Sequence, residues 1–355
     1  MRRINGEYTG MLFECDPPPL LIGIAKLAAS SDLLEAKRRV EYLELETRHF
    51  ICRGSGRMRS IWTLNPYRGC EFGCKYCYAR YAHEFMELRD PELFERKIYA
   101  KQFREETFRA ELHRRKPGET IWMGTATDPY QPAERRFHIT RRMLQVFAGE
   151  RGFDLGLTTK SDLVARDAAL LAEIGQKNTI GVHLTITTLD EALARLLEPR
   201  APRPELRVRA LKQLTDAGVR VSVLAHPVMP LINDSEKSLD EVCAAAEANG
   251  ASAFSAGALF LKPCSQQVFL PFLEQHFPHL VRRYRERFEK NAFLKGPYLD
   301  MIEERVKKIR ARHRMKPWTS PEWPLSDQME LFGGSAEPRK RPGGDFTLQR
   351  KVSSV

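Results

Sequence analysis

Six short runs rich in β-branched and aromatic residues recur along the middle of this chain: IWTL (61–64), TIWMGT (120–125), DLGLTTK (154–160), IGVHLTI (180–186), VRVSVL (219–224) and ASAFSAGALFL (251–261). Amphipathic stretches separate them, among them ITRRMLQVFAGERG, SDLVARDAALLAEIG, ELRVRALKQLTDAG and SEKSLDEVCAAAEANG. Several close on Gly152, Gly175, Gly218 or Gly250, where glycines at helix C-termini usually stand. Strands that alternate with helices and are apolar on both faces pair in parallel beneath a helical cover. Six such units, without a clear seventh or eighth, predict an α/β fold: an open or partial (β/α) barrel. That architecture puts its chemistry at the C-terminal ends of the strands.

The flanks divide by composition. Residues 1–55 read as an N-terminal extension, with LLIGIAKLAAS and LLEAKRRVEYLELE as helix candidates, and residues 56–265 as the barrel. Residues 266–318 read as a helical C-terminal region, and 319–355, rich in Gly, Pro, Ser and charge, as a flexible tail. No run of 18 apolar residues predicts a membrane span, and the start of the chain has no apolar signal core. Seven cysteines, an odd number, argue against a disulfide framework. The expectation is a cytoplasmic protein with reduced thiols. Its 57 Lys and Arg against 46 Asp and Glu give a net charge of +11. Such a field admits nucleic acid or another anionic partner without specifying a site.

Three of the cysteines, Cys70, Cys74 and Cys77, fall within GCEFGCKYC, spaced C-x3-C-x2-C directly after the first strand. A structural zinc site closes with four protein ligands, and His83 is the nearby residue that could complete one. A four-iron cluster is normally held by four thiolates, so three would leave one iron open to a ligand. The spacing alone admits zinc, a ferredoxin-like cluster or an open cluster.

The longer string NPYRGCEFGCKYCYAR resembles the signature of the radical S-adenosylmethionine (radical SAM) enzymes, whose fold is a partial (β/α)6 barrel. GTATDPYQPAE, TTKSDLVARD and LEPRAPRPELRVRALKQLTDAG resemble the subgroup related to spore photoproduct lyase, in the same order over roughly residues 60–265. The resemblance implies a [4Fe–4S] cluster on Cys70, Cys74 and Cys77. Its fourth iron would be chelated by S-adenosylmethionine, and reductive cleavage would give a 5′-deoxyadenosyl radical. An electron donor such as flavodoxin or ferredoxin follows. The resemblance also implies Tyr76 near the adenine, Lys160 on the cosubstrate carboxylate and Thr185 near ribose and carboxylate. Thr127 stands where other members hold the amino group with a Gly-Gly-Glu turn, which is absent here. The lyase's hydrogen-donating cysteine corresponds to Thr125, whose O–H is too strong to replace a thiol. Radical chemistry other than spore photoproduct repair is therefore expected. No catalytic donor is assigned. Cys264, the one other cysteine near a barrel mouth, is a candidate and equally a buried structural thiol. Cys15, Cys52 and Cys243 read as structural.

Glu198, Arg200 and Arg207 either form a charged pair that fixes the loop after the fourth strand or contact substrate. Asp128, Tyr130, Gln131 and Glu134 either hydrogen-bond substrate or cap the next helix. Near the end, QMELF (Gln328, Met329, Leu331 and Phe332) resembles the peptide by which bacterial repair proteins dock on a sliding clamp. The functional expectation is a radical SAM enzyme with lyase-like or other radical chemistry, acting on nucleic acid, as in DNA repair, or on another anionic substrate. Two other readings stay open: a nucleic-acid-binding protein with a structural or redox-sensing cluster, and a maturase acting on peptide or tRNA.

Overall fold

A computed structural model describes residues 21–37, 40–54, 61–116 and 119–317. Its strands, in chain order, begin with β1 (Leu33–Lys37), β2 (Val40–Leu45), β3 (Ile51–Arg53), β4 (Trp62–Leu64), β5 (Tyr67–Arg68) and β6 (Lys97–Lys101). They continue with β7 (Thr120–Met123), β8 (Asp154–Thr159), β9 (Thr179–Thr185), β10 (Val221–Val228), β11 (Ala253–Ala258) and β12 (Lys316–Pro317). The six apolar runs are β4 and β7 to β11. They lie side by side in chain order and all parallel, with β3 antiparallel on one edge and β12 parallel on the other. This is the partial (β/α)6 barrel that the alternation predicts.

Register explains both faces of the sheet. Leu64, Met123, Leu157, Val182 and Val221 stand at one level on successive strands, all fully buried. They join the main core with helix residues such as Leu144, Leu171, Leu211 and Leu239. Side chains alternate along a strand, so Trp122, Thr158, Thr185 and Leu224 point the other way and line an interior cavity. Gly156 permits this floor, because a Cβ there would lie 2.8 Å from the Trp122 ring. His183 stacks on the same indole, 4.7 Å between centroids.

The helix candidate LLIGIAKLAAS folds as Gly23–Ala29. LLEAKRRVEYLELE does not fold as a helix. It forms the antiparallel pair β1–β2, and β2 then pairs in parallel with β6, Glu41 opposite Lys97 through Leu45 opposite Lys101. Its Leu, Glu, Ala and Lys favour a helix locally, yet Val40 and Tyr42 alternate with exposed Glu41 and find a partner edge, and tertiary pairing overrides the propensity. The small sheet β1-β2-β6-β5 packs beside the cysteine loop.

Helices Pro263–His276, Val281–Phe288 and Pro297–Arg312 follow the barrel. A second apolar cluster joins Phe269, Tyr284 and Phe288 from these helices to Cys70, Cys74 and Tyr76. Among the described residues no helix is long and apolar enough to cross a membrane. Cys15 and the QMELF string lie outside the described residues.

Candidate active site

The cysteine loop turns on Gly69, whose φ is +80°. A Cβ there would sit 2.7 Å from the Lys97 carbonyl and 2.8 Å from that of Phe94, so only glycine fits without movement. The loop is then held from three sides. From the β7 side, Thr127 donates to the Gly69 carbonyl at 2.5 Å, Gln131 donates to the same oxygen at 3.0 Å, and the Gln131 amide oxygen accepts from Glu71 N at 2.9 Å. From the segment after β9, the Leu197 carbonyl accepts from Lys75 N, and Arg200 donates its backbone N–H to Phe72 and its guanidinium to the carbonyls of Glu71 and Glu95. From within, buried Arg80 pairs with Glu95 at 2.6 Å and donates to the Cys74 carbonyl at 3.1 Å. Satisfying this many backbone groups makes a rigid loop out of a glycine-punctuated one.

The loop places Cys70, Cys74 and Cys77 on the wall of one cavity of about 250 Å³. Burial pushes all three thiols above their ordinary pKa. Cationic iron is what would hold them as thiolates. His83 does not join them. Its Nε2 lies 3.0 Å from the Lys97 carbonyl, its ring packs edge-on to Phe94 and Tyr99, and burial lowers its pKa to about 4. Among the described residues no three His, Cys, Asp or Glu side chains converge where a single metal ion could be held. A four-iron cluster makes a different demand, since each thiolate binds its own iron. Two buried thiols, Cys70 and Cys74, and the half-buried Cys77 around one cavity are a donor set that suits such a cluster.

A buried polar network reaches the cavity wall through Tyr76 and Lys160. Glu198 pairs with Arg207 through one carboxylate oxygen. Its other oxygen accepts from the Tyr76 hydroxyl and from Thr187 at 2.7 Å, with the Lys160 ammonium 3.5 Å away. Burial alone would raise the Glu198 pKa, but Arg207 and Lys160 outweigh it and hold the carboxyl at about 2. Lys160 also lies 5.5 Å from the centroid of the Tyr76 ring. Asp128 accepts from Thr159 Oγ1 at 2.6 Å and from the backbone N–H groups of Lys160 and Tyr130 at 2.7 and 2.9 Å. It thereby ties the end of β7 to the end of β8 and fixes where Lys160 leaves the strand.

Of the residues singled out from the sequence, Tyr76, Thr127, Lys160 and Thr185 line the cavity with the three cysteines. Cys264 does not. It is buried in the first turn of Pro263–His276, and its neighbour Ser265 donates to the Cys77 carbonyl at 2.9 Å. Glu198 and Arg207 do form a charged pair, and Arg200 belongs to the bracing of the cysteine loop. In the DPYQPAE loop, Tyr130 donates to Asp167, and Glu134 accepts from Tyr67 and from the backbone of Thr140 and Arg141, so both serve the scaffold. Sequence reasoning missed His226, at the end of β10, and Phe260, just after β11, both on the cavity wall. His226 approaches Ser255 Oγ at 3.1 Å, and burial lowers its pKa to about 3, with Lys160 adding to the effect. Its place near a strand end is the only signal the sequence offers for it.

A family model described as the radical SAM superfamily matches residues 64–242. The chain belongs to the radical SAM superfamily. It is accordingly an enzyme of the iron–sulfur, S-adenosylmethionine-using class. It is 33% identical over 257 residues to an uncharacterized protein of Mycobacterium tuberculosis, covering 72% of this chain and 75% of that protein. A second uncharacterized protein, from Methanocaldococcus jannaschii, is 28% identical over 70% of this chain and 86% of its own length. In fold, this radical SAM chain is similar to spore photoproduct lyase complexed with dinucleoside spore photoproduct: TM-score 0.57, 12% identity, 77% of this chain and 79% of that one.

Proposed function

We propose that Cys70, Cys74 and Cys77 hold a [4Fe–4S] cluster, that the cavity beside them takes S-adenosylmethionine, and that the substrate of the radical chemistry is a nucleic acid. The observation that carries the first two parts is the shared cavity, where three thiols, a lysine ammonium and an aromatic ring line one space. When bound, the cluster and S-adenosylmethionine supply radical hydrogen abstraction. The chain's own residues bind and orient. Lys160, set by Asp128 and by Glu198, offers a cation to a carboxylate. The Thr127 hydroxyl donates to Gly69 and accepts from Gln131 at 2.9 Å, which leaves its second lone pair for an ammonium group. That reading gives the amino group a holder in the absence of a Gly-Gly-Glu turn. Tyr76, fixed through its hydroxyl by Glu198 and Thr187, keeps its ring face for the adenine. Thr185 offers a buried hydroxyl to ribose or carboxylate. The nucleic acid part rests on the net charge of +11 and on likeness in fold to a lyase solved with a dinucleoside photoproduct.

Anaerobic reconstitution tests this reading. Protein loaded with iron and sulfide should hold about four of each per chain. With dithionite, or with a flavodoxin or ferredoxin as electron donor, it should release 5′-deoxyadenosine from S-adenosylmethionine. Lys160→Ala should keep the iron yet bind S-adenosylmethionine roughly tenfold to hundredfold more weakly, the worth of one charge-assisted hydrogen bond. Zinc as the sole metal, or undiminished cosubstrate binding by the variant, would overturn the assignment.

A further inference from the structure

Positive charge is not spread evenly along this chain. Residues 281–317 carry thirteen Lys and Arg against five Asp and Glu, so they hold eight of the eleven net positive charges. Helix Val281–Phe288 opens this segment. It turns Tyr284 and Phe288, one helical turn apart, into the apolar cluster shared with Cys70, Cys74 and Tyr76. That choice leaves Arg282, Arg283, Arg285 and Arg287 on the exposed face, followed by exposed Lys290 and Lys295. Arg282 and Arg285 are partly neutralised by Glu286 and Glu274. Among the described residues no carboxylate lies in ion-pair range of Arg283, Lys290 or Lys295. Like charges crowded on one ridge repel one another, and an anion alongside relieves that cost.

The ridge adjoins the cavity. The chain beyond Lys290 returns to the barrel, where Leu261 N donates to the Ala292 carbonyl at 2.8 Å, Phe293 bridges Phe260, and their rings stack at 5.2 Å. Phe260 is itself part of the cavity wall. We propose that the exposed face of residues 282–295 is the phosphate-binding edge of the site and takes the sugar–phosphate backbone of duplex DNA, a proposal that rests on the nucleic acid reading above. A strand without a complement is gripped through aromatic platforms on which its bases stack. Here the aromatic rings of the ridge helix face inward, and the exposed face carries six Lys and Arg against Glu286 and Glu289, with no aromatic ring of that helix among them. Such a surface reads phosphates and not bases, which suits a duplex whose bases are stacked inside it.

Fluorescence anisotropy with a labelled DNA duplex, titrated across several salt concentrations with the full chain, tests the ridge. The variant Arg283→Gln, Lys290→Gln, Lys295→Gln removes three exposed cations. A control, Arg151→Gln, Arg209→Gln, Lys212→Gln, removes the same charge from exposed positions elsewhere on the barrel. Each lost phosphate contact should flatten the slope of log K against log salt by about 0.9, so the ridge variant should lose about 2 to 3 from the slope and bind at least roughly tenfold more weakly near 0.1 M salt. The control should stay within about twofold. Equal losses in the two variants, an unchanged slope, or tighter binding of single-stranded DNA or of an RNA duplex would each overturn the proposal. Release of 5′-deoxyadenosine by the unaltered protein, measured alongside, reads the cavity separately. Its absence would defeat the reading of the site and leave the ridge standing.

Discussion

Glu198 is the residue on which the cavity's electrostatics turn. It sits buried between two cations, Arg207 and Lys160, and receives hydroxyls from Tyr76 and Thr187. An ion pair in a low-dielectric site is weak evidence for stability, but removing one partner leaves the other charge buried and uncompensated. Glu198→Gln should therefore lower stability by about 3 kcal/mol, read as a fall in the thermal midpoint at neutral pH. The pH dependence has a definite sign. A carboxyl held at about 2 in the fold and near 4.3 when unfolded contributes stability that is present above pH 4.3 and is lost as pH falls through 2. The gap between the parent and the Gln variant should thus narrow as pH drops from about 4.5 toward 2. A gap of constant width would show that charge on Glu198 is not what stabilises the network. The pairing of Glu198 with Arg207 was one of two readings open from LEPRAPRPELR. Nine residues of sequence separation place both near one loop, but nothing in the string tells that Tyr76 arrives from the cysteine loop and Lys160 from the end of β8.

The cysteine loop between β5 and β6 is the element that converts a barrel into a site. Gly69 is its tightest point, with two backbone carbonyls where a side chain would begin. Backbone cannot swing aside as a flexible side chain can, so Gly69→Ala should shift the loop rather than merely crowd it. Iron retained after anaerobic reconstitution should fall by more than half, while the far-UV circular dichroism of the barrel stays unchanged. Full iron loading in that variant would mean the loop tolerates a second path. Elements also mark where local reading failed. The strand β2 was hidden because Val40–Leu45 carries good helix formers, and its partner β6 lies more than fifty residues away. The six barrel strands were legible because each is bounded by its own turn or helix signal.

At the scale of the molecule, two apolar clusters divide the labour. The main one, running from Leu64 through Leu157, Val182 and Val223 to Phe254, contains none of the three loop cysteines. The second surrounds the loop and the C-terminal helices. Protein stripped of metal, or the variant with Cys70, Cys74 and Cys77 all changed to Ala, should therefore stay folded. Hydrogen exchange should remain slow in β8, β9 and β10 and quicken in residues 69–80 and in Val281–Phe288, which share the second cluster. Uniform loss of protection across the barrel would show that the two clusters fold as one unit.

The sequence by itself determined the alternation, and with it the parallel sheet, because the period of apolar residues is a local property that any stretch carries within itself. It also determined the three thiols and their spacing, since one short loop holds them all. Only the tertiary structure decided what faces them. Lys160, Thr185 and His226 come from the ends of different strands and meet on one cavity wall, with Glu198, from the loop beyond β9, set behind Lys160. The same holds for the basic ridge. Its charges are plain in the sequence, but their exposure depends on Tyr284 and Phe288 finding the cluster loop as their partner, and no local signal specifies a contact with residues two hundred positions earlier.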